Sequence, residues 1–232
     1  MTQIAISSLN LLNLRLPGRP FYGLAGYSPQ EYQTKTHWMG ALFDRLHSDF
    51  IAVQEVFDEA ALQDCVAASA TMRNAQVVIA PGAEGDANLP RVGLIAAQPL
   101  LAPVESIADL PTEATVVLPG APELNLPETR HTSFSRPVLA TTIHLKSRRP
   151  KRSQLASPDN SNDKGFDDTD ASGPSGENMD NPAIEARAHM RALMMRAAEA
   201  AGLRQLLLRD LVNSRMPVIV AGDFNDHAKA MT

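Results

Sequence analysis

Five polar residues each follow an apolar, strand-like run: Asn10, Glu55, His144, Asp223 and Asn225. The densest group is the turn Gly222-Asp223-Phe224-Asn225-Asp226, entered from Met216-Pro-Val-Ile-Val-Ala. Two carboxylates and an amide in one turn repel or compete unless a cation or a phosphate-facing role accounts for them. Singly, each residue is ordinary. A Glu after a strand commonly opens a helix, and a His beside apolar residues is commonly structural. Together they are hard oxygen and imidazole groups at the ends of strands, the rim where open α/β sheets bind ligands. Carboxylate and amide oxygens without thiolates favour Mg²⁺, Mn²⁺ or Ca²⁺ over structural zinc. Such a rim suits phosphoryl transfer, which needs negative charge spread, a water positioned and a leaving oxygen protonated.

These side chains need a buried sheet behind them. Residues 218–222, with Pro217 before them, read as a strand buried on both faces. Residues 3–9 read as a short strand ending at Asn10, and residues 50–53 as another that runs into Gln54-Glu55-Val56. Between them lies a loop rich in Pro, Gly and aromatics (17–28), then a helix over 29–46. Ser28 and Glu31 form a capping-box pair for that helix, and Trp38, Leu42 and Leu46 recur at helical spacing beside Met39 and Phe43. Residues 58–72 are Ala-rich and helical, with Leu62, Val66 and Ser69 on one side. Strands follow at 76–80 and 92–97, separated by a Gly/Pro/Asn/Asp-rich loop. Residues 99–130 give only short strands and loops; 135–144 alternate and are β-branched, so they form a strand. Residues 148–182 begin with a basic run and continue in Ser, Asp, Asn, Gly and Pro. So little apolar surface cannot offset ordering entropy, which predicts a disordered insertion. A long helix over 183–212 resumes the pattern, with Leu193, Ala197, Ala200 and Leu207 toward a sheet and Arg187, Arg191 and Glu199 toward water. The order of elements predicts one layered α/β domain over residues 1–232.

Composition narrows the class. The 232 residues are 44% hydrophobic and 20% charged, with a net charge of −5. That balance leans away from binding nucleic acid through a broad basic surface, though not from cleaving phosphate esters with metal ions supplying positive charge. The single cysteine, Cys65, can form no internal disulfide and reads as a small buried hydrophobe. No secretory signal pattern and no apolar run near the roughly 20 residues of a membrane span occur, so a cytoplasmic protein is expected.

Asn10, Val53-Gln54-Glu55-Val56, Arg136-Pro137 leading to Ile143-His144-Leu145-Lys146-Ser147, and Gly222-Asp223-Phe224-Asn225 stand in an order that resembles the endonuclease/exonuclease/phosphatase superfamily. These are the metal-dependent phosphoesterases related to DNase I. The resemblance covers residues 4–226 and implies a DNase I-like sandwich of β-sheets flanked by helices. It implies Mg²⁺-assisted attack of water on phosphorus, with Glu55 as the main Mg²⁺ ligand and Asn10 beside it orienting metal or phosphate. Asp223 would align or activate the water, Asn225 would donate its amide to a phosphate oxygen, and His144 would contact the phosphate or assist the leaving group. Arg136 would steer the phosphate or brace its strand. The substrate would be a phosphate ester: nucleic acid, a sugar or inositol phosphate, or a lipid head group. The family closes its domain with two further strands and a Ser-Asp-His-type motif. Here the residues from His227 to Thr232 do not supply it. A C-terminally incomplete fold is therefore expected, a piece of a longer protein, with a non-catalytic member that acts by binding as the second functional reading.

Overall fold

The computed structural model describes residues 4–82, 89–143, 181–211, 214 and 216–223. A four-stranded sheet runs in the order β1-β2-β4-β3, with β1 at Ile6–Leu14, β2 at Phe50–Val56, β3 at Gln76–Ile79 and β4 at Arg91–Ala96. β1 is parallel to β2, while β4 is antiparallel to both its neighbours. A parallel pair needs a crossover, and helix α1 (Pro29–Leu46) supplies it. Both arms of its capping box form: Glu31 N–H donates to Ser28 Oγ at 3.3 Å, and Ser28 N–H to Glu31 Oε2 at 2.8 Å.

Helix α2 (Glu59–Ala68) stops short of the expected end at residue 72. The cause is Asp44 of α1, whose carboxylate accepts from Ser69 Oγ, Ala70 N, Thr71 N and Thr71 Oγ1 at 2.7, 3.0, 2.8 and 2.7 Å. These groups meet α1 instead of continuing a helix. Gly40 allows the close approach, since a Cβ there would stand 2.7 Å from the Ala68 carbonyl carbon.

The two helices cover one face of the sheet. Leu11, Leu14, Met39, Phe43, Ile51, Val53, Leu62, Cys65 and Ile95 form the main core. The buried row of α1 is Thr36, Met39, Gly40 and Phe43, whereas Trp38 of the expected stripe is 60% exposed.

The second part holds β5 (Glu105–Asp109), β6 (Val116–Leu118), β7 (Thr129–His131), β8 (Ser133–Ala140) and α3 (Pro182–Leu211). The strands pair antiparallel as β5–β8 and β6–β7, and β8 contacts β4. The chain after β8 stays attached to the main sheet's exit, for Leu101 N–H donates to Thr142 O at 2.9 Å and Ile143 bridges Leu100.

α3 buries a different face from the one its sequence suggests. Ala198 and Leu206 pack with Leu110 and Phe134, while Leu193 lies exposed. Glu199, expected in water, accepts from Ser135 N–H at 2.9 Å and lies 3.1 Å from His131 Nε2. Arg191 donates to the Pro119 carbonyl. Small sheets leave polar backbone groups at their edges, and charged side chains on the helix satisfy them.

The expected terminal strand does not form. Val218, Ile219 and Val220 are 45%, 60% and 45% exposed, and no strand is assigned there. A doubly buried strand needs neighbours on both sides, and among the described residues none pairs with this run. The expected insertion at 148–182 lies outside the described residues up to 180; its end is the start of α3, where Asn181 Oδ1 accepts from Ala183 N–H at 3.0 Å. No helix among the described residues is long and apolar enough to cross a membrane.

Candidate metal and phosphate site

The site begins with a conflict in the strand pattern. Along β2, Ile51 and Val53 point into the helix-covered core. Strict alternation would send Glu55 there too, and an unpaired carboxylate cannot be buried cheaply. The strand resolves this with a bulge. Val53 pairs with Gly93 and Val56 with Arg91, so β2 carries one extra residue between them. Glu55 adopts φ +60°, Val56 takes the core position, and the carboxylate is released to the rim.

β1 does the same at the same level. Asn10 pairs with Gln54, but Leu14 pairs with Val56. The excess chain turns through Leu12 (φ +49°) and Asn13 (φ +56°), after which Leu14 returns to the core. Three non-glycine residues in the left-handed region cost about 1–3 kcal/mol each. Such strain persists only where neighbours over-determine it.

The neighbours are the site itself. Asn10 Oδ1 accepts from Leu12 N–H at 2.8 Å, and Glu55 Oε2 accepts from Asn13 N–H at 2.8 Å. Asn10 Nδ2 donates to Glu55 Oε1 at 2.8 Å and to Asp223 Oδ2 at 2.9 Å. This fixes the amide's orientation, because a flipped Asn10 would set its oxygen against two carboxylates and its nitrogen against an N–H. The exit of both strands is tied by Asp58, which accepts from Leu16 N–H at 2.9 Å and Arg19 Nη1 at 2.7 Å.

Two residues the sequence reading did not single out stand behind the turn. Tyr27 Oη donates to the Leu12 carbonyl at 3.0 Å, and Lys35 Nζ donates to the same carbonyl and to Tyr27 Oη at 2.8 Å. The ammonium also lies 4.7 Å from the centroid of the Tyr27 ring. Burial pushes Lys35 down to about 8, against the attraction of Cys65 and Glu55. Burial also raises the Tyr27 phenol, helped by the Glu55 and Glu31 charges. The legible signal was spacing: Lys35, Met39 and Phe43 share one row of α1, and a lysine on a core row needs a partner.

Of the six residues read from sequence, the structure brings together Asn10, Glu55 and Asp223. Arg136 lies on β8, where its guanidinium donates to the Ser135 carbonyl at 2.8 Å, outside the Asn10 hydrogen-bond set. His144 and Asn225 lie outside the described residues.

The donors fit a hard divalent cation. The Glu55 and Asp223 carboxylates converge on the Asn10 amide and are the hard oxygen groups such an ion takes. The described residues hold no cluster of three or more His, Cys, Asp or Glu. A sparse oxygen set is what Mg²⁺ takes, since it keeps several waters and uses one or two carboxylates.

No curated protein and no solved structure matches the chain. A family model does, over residues 9–231, which takes in Asn10, Glu55, Arg136, His144, Asp223 and Asn225. With this match and its mixed α/β architecture, the chain belongs to the endonuclease/exonuclease/phosphatase family.

Proposed function

We propose that the protein hydrolyses phosphodiesters by water attack on phosphorus, with Mg²⁺ or a similar hard cation at Glu55, whose carboxylate the Asn10 amide orients. Family membership supports a hydrolase of phosphate esters. The observation that carries the finer reading is the Asn10 amide, which holds Glu55 and Asp223 at one point, 2.8 and 2.9 Å away. A cation bound there would neutralise phosphate charge and make a coordinated water more acidic. The protein's own residues divide the remaining work. Glu55, fixed through both oxygens by Asn10 and Asn13, presents its free lone pairs from a set position. Asp223, oriented by Asn10, aligns the attacking water. Asn225 donates to a phosphate oxygen, His144 contacts the phosphate or assists the leaving oxygen, and Arg136 steers the phosphate or braces β8. Nucleic acid, sugar or inositol phosphates and lipid head groups are the substrate classes this chemistry serves.

The test is hydrolysis of bis-p-nitrophenyl phosphate with Mg²⁺ or Mn²⁺. Glu55→Gln and Asp223→Asn should each lower the rate by at least about a hundredfold, and EDTA should abolish it. Activity that survives EDTA, or is unchanged in both variants, contradicts the reading.

A further inference from the structure

The Leu12–Asn13 turn supplies both N–H groups that orient the rim: Leu12 N–H to Asn10 and Asn13 N–H to Glu55. The turn's Leu12 carbonyl accepts from two side chains that come from different elements. Lys35 reaches it from α1, and Tyr27 from the end of the loop before α1. That loop is itself pinned. Gly18 N–H donates to Tyr27 O at 2.8 Å, the Phe21 and Tyr27 ring centroids are 5.3 Å apart, and Gly26 packs so closely on Arg19 that a Cβ would lie 2.3 Å from its carbonyl oxygen. Tyr27 and Lys35 also bind each other, so the carbonyl sits in a closed three-membered set. A left-handed turn of Leu and Asn does not hold itself, because the extended conformations are lower in energy for both.

We propose that Tyr27 and Lys35 are positioning residues, which fix the left-handed Leu12–Asn13 turn through its carbonyl and so hold Asn10 and Glu55 in working orientation. The proposal rests on the reading of Asn10 and Glu55 as the working rim, but its first readout does not need activity. In the purified protein, Tyr27→Phe and Lys35→Met each remove a donor while keeping the bulk of the side chain. Amide hydrogen exchange at Leu12 and Asn13 should rise about fivefold or more in each variant, while the central β2 amides of Ile51 and Val53 stay as in the unaltered protein. With bis-p-nitrophenyl phosphate, kcat should fall about tenfold or more with KM unchanged. Unchanged exchange at Leu12 and Asn13 overturns the proposal. So does a rise shared equally by Ile51 and Val53, since that marks a general loss of stability. Absence of hydrolysis in the unaltered protein counts against the phosphodiesterase reading, and the exchange result still decides the role of Tyr27 and Lys35.

Discussion

Asn13 donates its backbone N–H to Glu55 Oε2 at 2.8 Å, and both residues sit in the left-handed region, at φ +56° and +60°. Two bulges on adjacent parallel strands thus face each other across one hydrogen bond. This pairing allows a carboxylate to leave a strand whose other inward residues are apolar. It also predicts how the turn responds to substitution. Asn tolerates positive φ, Gly adopts it freely, and a β-branched residue does not. Asn13→Val should lower stability by about 1–3 kcal/mol relative to Asn13→Gly in urea unfolding. Equal stability of the two variants would show that the turn is not held left-handed.

Much of the fold was legible, and the failures share a cause. The capping box at Ser28 and Glu31, the helix at Pro29–Leu46 and the short strand at Phe50 follow from local rules, and the structure has them. Asn10, Glu55 and Asp223 could be grouped because each follows an apolar run in the sequence, although only the runs before Asn10 and Glu55 form strands of the sheet. What was not legible depended on partners distant in sequence. The bulges are invisible in a pattern of alternation that would have carried Glu55 inward. The face that α3 buries departs from its sequence pattern because Glu199 meets Ser135, 64 residues away. The run Val218 to Val220 reads as a buried strand by composition, but burial of a strand is decided by its neighbours.

Asp44 predicts an acid-sensitive joint between α1 and α2. Hydrogen bonds from Ser69, Ala70 and Thr71 hold its carboxyl well below the usual carboxylate range. The folded state therefore stays ionised where the unfolded chain takes up a proton. Its contribution is full above the unfolded value, about pH 4, and is lost as pH falls toward the folded one. The melting temperature of the unaltered protein should exceed that of Asp44→Asn near neutral pH, and the gap should narrow below about pH 4. A gap constant down to about pH 2 would contradict this.

Cys65 and Lys35 pull stability in opposite directions at alkaline pH. Burial pushes the Cys65 thiol up to about 12, so the folded state keeps a proton the unfolded chain sheds near pH 8.5. That contribution is present below about pH 8.5 and is lost as pH rises toward 12. Lys35, pushed down to about 8, does the reverse: the folded state sheds its proton first, and stability gains as pH rises from about 8 to about 10.4. Removing the thiol leaves the lysine alone. Between about pH 8 and 10, the stability of Cys65→Ala should therefore rise relative to the unaltered protein. Urea unfolding at a series of pH values checks this, and parallel curves would contradict it. In the folded protein the same thiol should react with a disulfide reagent far more slowly than in denaturant.

The central claim is that Asn10, Glu55 and Asp223 form a cation-dependent rim, and a Mn²⁺ titration followed by the electron paramagnetic resonance of free Mn²⁺ tests it most directly. The account predicts a bound Mn²⁺ that Mg²⁺ displaces, with affinity at least about tenfold weaker in Glu55→Gln. Equal affinity in the variant, or bound Mn²⁺ that Mg²⁺ does not displace, would contradict it.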